Sequence, residues 1–155
     1  MIIRKANRED GSAMSTILTE ILSMWRSERP GDAGYVREYY IDHPDTIKCS
    51  VAESGTGEIL GFQSLKFATE NSPYELPAGW GIIGTYVDLK VARTGVGSQL
   101  FAASVKAAEV SGLAMIDATI ADTNERALAY YDAMGFATYR TVPGFVSKCY
   151  KVFPK

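Results

Sequence analysis

Histidine and cysteine are scarce in this chain. There is one histidine, His43, and two cysteines, Cys49 and Cys149, far apart in the sequence. No pair of them has metal-ligand spacing, so no metal site is expected. Neither cysteine has a histidine base in its neighbourhood, which argues against a thiolate nucleophile. They read instead as two buried, reduced thiols. His43 is followed by Pro44, a context for a helix end or turn rather than for a ligand. An excess of basic charge is also missing: 16 Lys and Arg stand against 18 Asp and Glu, a net charge of −2, so no nucleic-acid surface is indicated. No apolar run is long enough to span a bilayer. The opening MIIRKANRED turns charged too early for a secretory leader, so a cytoplasmic location is expected. Internal repeats and low-complexity segments are absent as well.

What is present is an ordinary globular composition, 46% hydrophobic over 155 residues, consistent with one domain over residues 1–155. IIRKA near the N-terminus reads as a short strand. Met14, Ile17, Leu18, Ile21, Leu22 and Trp25 recur at three and four, predicting a helix over residues 10–26. RPGDAG breaks it, and a shorter helical patch, YVREYYID, stops near Pro44. TIKCSVAE and ILGFQSLKFA form a hairpin around SGTGE, and GIIGTYVDL, residues 81–89, is a β-branched strand. Leu100, Phe101, Ser104, Val105 and Ala108 trace one helical face that stops at Gly112. LAMIDATIA is a further strand. Asp122, with Glu125 three residues on, has the form of a capping box opening a helix through Met134. FATYRTV and FVSKCYKVF close the chain as a hairpin. The order β-α-α-β-β-β-α-β-α-β-β implies a mixed α+β (α/β) domain with a partly antiparallel sheet.

The stretch VARTGVGSQLFAA sets Gly95 and Gly97 between a strand and a helix, where backbone N–H groups and the positive end of the helix dipole suit a phosphate. A dinucleotide fingerprint would need glycine at position 100, which is Leu100, and a P-loop would need G-K-[ST], which does not occur. Two motifs taken together are more specific. VDLKVARTGVG, residues 87–97, resembles the acetyl-CoA pyrophosphate motif of GNAT-type N-acetyltransferases, roughly V-x-P-x-x-[QR]-G-x-G-x-[GA]. NERALAYYDAMGF, residues 124–136, is similar to the second motif of that superfamily, N-x-x-A-x-x-x-Y-x-x-x-G-F, and the order of elements fits throughout. Phosphinothricin-type small-molecule acetyltransferases have the nearest character. In three places the chain departs from the pattern: Leu89 stands where Pro is frequent, Ala92 where Gln or Arg is usual, and Arg93 where Gly is usual.

The resemblance implies a central, mostly antiparallel sheet of about seven strands flanked by four helices. It implies acetyl-CoA as co-substrate and acetyl transfer to the primary amine of a small molecule, by direct attack in a ternary complex. The coenzyme site would comprise Val87, Asp88, Leu89, Ala92, Arg93, Thr94, Gly95, Val96, Gly97, Ser98, Asn124, Ala127, Tyr130 and Tyr131. Within it, the Val87 backbone would be the oxyanion donor, and Arg93 would pair with the phosphates in place of the side chain lost at Ala92. Tyr131 would be the general acid for the departing thiolate. The same positions read without the family as a solvated loop arginine (Arg93), a helix cap (Asn124) and a core aromatic (Tyr131). The phosphinothricin-type pattern E-x-S-x-Y-V is here IIGTYV, with Ile82 in place of the glutamate, so the base would be Glu75, Asp117 or a chain of waters. An aromatic acceptor pocket would draw on Trp25, Arg26, Tyr35, Tyr39, Tyr40, Tyr74 and Tyr86, between the first two helices and nearby loops. A homodimer is expected by analogy with the superfamily, and neither nucleic acid nor membrane as partner. Two other functions fit the same fold: a non-catalytic acyl-CoA sensor, and a protein N-terminal or lysine acetyltransferase.

Overall fold

A computed structural model of the chain describes residues 1–69, 76–91 and 94–152. Seven strands form one sheet: β1 (Ile2–Lys5), β2 (Thr46–Glu53), β3 (Ile59–Phe67), β4 (Trp80–Val87), β5 (Met115–Ala121), β6 (Ala137–Val142) and β7 (Phe145–Lys151). Their spatial order is β1-β2-β3-β4-β5-β7-β6. All neighbours are antiparallel except β4 and β5. A parallel pair cannot be joined by a hairpin. The crossover is α3 (Val96–Val110), and the other helices are α1 (Gly11–Met24), α2 (Ala33–Val36) and α4 (Glu125–Met134). After α2 the chain continues through a wider π-type turn, Arg37–Ile41. The expected order of elements is observed in full.

The helices cover opposite faces of the sheet. On one face α1 buries Met14, Ile17, Leu18, Ile21 and Leu22 against Val51, Phe62, Tyr40 and Tyr86. On the other, α3 and α4 bury Phe101, Ala108 and Tyr131 against Leu65, Ile83, Ile116, Ala118 and Ile120. Each fully buried leucine or phenylalanine in these layers contributes about 1.5–3 kcal/mol relative to exposure. The alternation of the strands assigns each residue a face. Gln63, Ile83 and Thr85 look toward α3 and α4, while Phe62, Lys66 and Tyr86 look toward α1 and α2.

Local details differ from the pattern-based reading. Trp25 does not extend the buried face of α1: it is 41% exposed, because the chain turns away at Arg26, whose φ is +54°. Strand β4 ends at Val87, two residues before Leu89. There Asp88 accepts from Lys90 N (2.9 Å) and Val91 N (3.0 Å), winding Leu89–Val91 into a 3-10 turn. Helix α4 is capped by Asn124, whose Oδ1 accepts from Ala127 N at 3.2 Å, and not by Asp122. The backbone of Asp122 is engaged instead with Gly144 O across the final hairpin. Both cysteines are free, but only Cys49 is buried; Cys149 is half-buried on β7.

Candidate active site

The parallel pairing of β4 with β5 lasts for three positions, Trp80 with Met115, Gly81 with Ile116 and Ile82 with Asp117. Beyond that, β4 stays with β3 as far as Val87, and β5 stays with β7 as far as Ala121. The sheet therefore opens as a wedge after Ile82. Asp88 N donates to Leu60 O, and Trp80 O accepts from Ala68 N, so the even-numbered residues of β4 direct their backbone groups toward β3. Alternation turns the N–H groups of Thr85 and Val87 toward the open side. Free backbone donors of this kind are costly to bury without a partner.

The turn into α3 stands on the same side of the sheet. Thr94 Oγ1 donates to Val91 O, and Gly95, the N-cap, has φ +89° with no side chain capping the helix. Among the described residues no side chain caps the first-turn N–H groups of Val96, Gly97 and Ser98. The two glycines serve different ends. A Cβ at Gly95 would meet nothing within 4 Å, so its requirement is conformational; a Cβ at Gly97 would lie 2.6 Å from Tyr130 Cε1, so its requirement is space.

A buried polar network joins this turn to the wedge. The Tyr130 hydroxyl donates to Gly97 O (2.8 Å) and accepts from Gln63 Nε2 (3.0 Å). Gln63 Nε2 also donates to Thr85 Oγ1 (2.9 Å), and Gln63 Oε1 accepts from Ser104 Oγ (2.6 Å). Thr85 Oγ1 in turn shares a 2.8 Å hydrogen bond with the Tyr131 hydroxyl. One amide side chain thus fastens α3, β4 and α4 together, with both of its N–H donors used and its oxygen accepting once. Burial pushes the Tyr130 phenol up to about 12, and pushes Tyr131, which is 5% exposed, up as well. Both keep their protons at neutral pH.

Across the sheet, Tyr35, Tyr39, Tyr40, Phe62 and Tyr86 pack ring against ring. Arg29 Nη2 donates to the hydroxyls of Tyr40 (3.1 Å) and Tyr86 (3.3 Å). Lys66 Nζ lies 3.2 Å from the centre of the Tyr39 ring, and burial lowers its pKa to about 8. Of the expected acceptor-pocket residues, Tyr35, Tyr39, Tyr40 and Tyr86 come together here. Trp25 and Arg26 are exposed at the end of α1, apart from these ring contacts. Asp117, at the apex of the wedge, is fully buried and accepts from Tyr139 OH (2.5 Å) and Thr119 Oγ1 (3.0 Å). Burial raises its pKa. Ala92, Arg93, Tyr74 and Glu75 lie outside the described residues.

The fold agrees with that of known proteins. The model of the acetyltransferase (GNAT) family matches residues 13–136, which takes in the wedge, the glycine turn and Tyr131. The chain belongs to the GNAT family. Its fold is shared at TM-score 0.82 and 19% identity with a GCN5-related N-acetyltransferase from Kribbella flavida, covering 97% of this chain and 96% of that one. It is also shared with yncA from Salmonella typhimurium, solved with its cofactor acetyl-CoA (TM-score 0.75, 17% identity, 99% and 95% covered). A third such structure is the paia N-acetyltransferase from Thermoplasma acidophilum in complex with coenzyme A (TM-score 0.74, 16% identity, 97% and 98% covered). No curated protein matches the sequence. In this GNAT chain no group of three or more His, Cys, Asp or Glu is placed to hold a metal among the described residues. Nor is any described helix long and apolar enough to cross a membrane.

Several site residues escaped the sequence reading. Gln63, Thr85 and Ser104 looked like ordinary strand and helix positions, and Arg29 lay in a segment read only as a breaker. A glutamine within the largely apolar ILGFQSLKF strand was the available signal, because a buried amide needs partners.

Proposed function

We propose that this GNAT protein transfers the acetyl group of acetyl-CoA to a primary amine of a small molecule. The observation that carries the reading is the wedge. Val87 and Thr85 direct N–H groups into it, the first turn of α3, with no side-chain cap among the described residues, stands beside it, and the Tyr131 hydroxyl reaches it through Thr85. The N–H groups of Val96, Gly97 and Ser98 would hold the pyrophosphate, and the Leu89 backbone would hold the pantetheine arm. Asn124 spends Oδ1 on its helix cap, which leaves its Nδ2 donors for the coenzyme.

The amine lone pair forms a bond to the acetyl carbon while Val87 N–H holds the carbonyl oxygen as it gains charge. The C–S bond then breaks, and the sulfur leaves as a thiolate. The amine nitrogen loses one proton to water, the sulfur gains one from Tyr131, Tyr131 recovers a proton from water, and the products are the amide and CoA thiol. Thr85 shapes the last step. With Gln63 Nε2 donating to Thr85, the Thr85 hydroxyl can donate in turn to Tyr131, and this frees the phenol proton for the sulfur. Because burial makes Tyr131 a weak acid, its first contribution is a hydrogen bond to the thiolate, with full proton transfer following.

The test is release of free thiol from acetyl-CoA across a panel of amines, for the wild type and Tyr131→Phe. The expected result is turnover with some amine, and a variant whose kcat falls more than its coenzyme affinity. Tight acetyl-CoA binding with no turnover on a broad panel would point instead to an acyl-CoA sensor.

A further inference from the structure

We propose that Gln63 is the positioning residue of the acid: it carries hydrogen-bond polarity from the peptide of the coenzyme turn through Thr85 to Tyr131, so that the Tyr131 phenol proton faces the wedge and is held there more firmly when the turn is occupied. This rests on the acyl-transfer reading above and adds what orients and regulates its proton donor.

The direction of every bond follows from one group that cannot donate. Gly97 O is a carbonyl, so its 2.8 Å contact with Tyr130 takes the only proton of that phenol. The Tyr130 oxygen must then accept at its 3.0 Å contact with Gln63, which places the amide nitrogen on that side and not the amide oxygen. Ser104 Oγ, donating to Gln63 Oε1 at 2.6 Å, fixes the same orientation from the other end. Gln63 and Ser104 are both fully buried, so these partners hold the amide in place.

The second N–H of Gln63 goes to Thr85 Oγ1 at 2.9 Å. The Thr85 hydroxyl bears on both phenols, and its 2.8 Å contact is with Tyr131. Because the Tyr130 oxygen already accepts from Gln63, the Thr85 proton goes to the Tyr131 oxygen, and the Tyr131 proton is left for the wedge. In keeping with this direction, the contact with Thr85 favours the phenolate form of Tyr131, against the effect of burial.

The chain begins where the coenzyme would bind. Gly97 O and Ser98 N–H are the two ends of one peptide unit. With Ser98 N–H donating to a pyrophosphate, that peptide is polarised further and Gly97 O becomes a stronger acceptor for Tyr130. Each later bond then gains in the same sense, by about 10–30%.

The experiment reverses the polarity. Gln63→Glu replaces donors by acceptors, so Thr85 donates to the new carboxylate, Tyr131 donates to Thr85, and the acid's proton is tied back. In thiol release from acetyl-CoA, kcat is expected to fall on the order of a hundredfold while CoA affinity stays within about threefold. Adding Thr85→Val to Gln63→Glu removes the group that ties the proton and should restore about tenfold of that loss, which a purely structural role for Gln63 would not do. Gln63→Met, neutral and of similar length, should give a smaller loss with the same rescue, and it serves if thermal unfolding shows that the carboxylate is not tolerated. A readout without turnover is hydroxyl exchange, followed by NMR on protein isotope-labelled at tyrosine Cζ. In the coenzyme-free wild type the Tyr131 hydroxyl should exchange faster than that of Tyr130, Gln63→Glu should slow it, and CoA should slow the Tyr130 hydroxyl further. Tyr131 exchanging no faster than Tyr130, a failed rescue by Thr85→Val, or a Tyr130 hydroxyl indifferent to CoA would overturn the proposal while leaving acetyl transfer intact. The expected exchange pattern with no thiol release on any amine would do the reverse, sustaining the polarity and removing the transfer reading.

Discussion

Replacing Gly97 by alanine tests how the coenzyme turn is built. The added methyl would lie 2.6 Å from Tyr130 Cε1, with Cδ1 and Cζ both at 3.3 Å, so the whole edge of the ring is in the way. The ring cannot simply swing aside, because its hydroxyl is tied to Gly97 O at 2.8 Å and to Gln63 Nε2 at 3.0 Å. Ordinary contact would require a shift of about an ångström, and overpacking of this kind costs about 1–3 kcal/mol. Breaking either hydrogen bond adds about 1 kcal/mol. Alanine regains about 1 kcal/mol of helix propensity over glycine. The net expectation is a loss of roughly 1–3 kcal/mol. Urea unfolding of Gly97→Ala, Tyr130→Leu and the double variant would read the pairwise term directly. Leucine removes the ring, so the alanine substitution should become nearly neutral or stabilising in that background. If the two changes are additive, the ring is not what demands a glycine at 97 and the reasoning is wrong.

Gly95→Asn and Gly95→Val should separate, because only the first tolerates φ +89°; valine is expected to weaken acetyl-CoA binding strongly, and unchanged affinity in a folded Gly95→Val protein would reduce the turn to punctuation. Asn124→Ala should destabilise the protein by about 1 kcal/mol through loss of the α4 cap, measured by chemical denaturation. Asp117 and Asp10 predict opposite pH dependences. Burial raises Asp117 above its ordinary 3.8, so its contribution is fully present below that value and is lost as pH rises through the raised one. Asp117→Asn should therefore flatten the loss of stability on that side in thermal scans, and an unchanged slope would contradict the assignment. The hydrogen bonds from Arg4 lower Asp10, so its contribution is present above the ordinary carboxylate range and is lost as pH falls through the lowered value; Asp10→Asn should remove that acid-side loss.

Most of the architecture was legible before folding. Alternation and three-four periodicity placed Met14 to Leu22 and Leu100 to Ala108 on buried faces, because burial selects side chains at those periods regardless of their partners. Element ends were less legible. Asp122 and Asn124 both have cap chemistry, and the choice fell to Asn124 only once the final hairpin had engaged the Asp122 backbone. Trp25 continued the period of α1 but not its burial, since the helix ends there. In the candidate site, Gly95, Gly97, Asn124 and Tyr131 were visible through two local motifs. Arg29, Lys66, Gln63 and Thr85 were not, because each depends on partners distant in the chain, 57 residues in the case of Arg29 and Tyr86.

By itself, the amino-acid sequence determined the order of strands and helices, the glycine turn and the tyrosine helix, since these follow from local propensity and short-range spacing. Only the tertiary structure decided that β4 and β5 part after Ile82, that Gly97 makes room for a tyrosine, and that Arg29 and Lys66 gather around Tyr40. Those features are set by which strands run out of neighbours and which side chains meet across the sheet, and no local pattern encodes either.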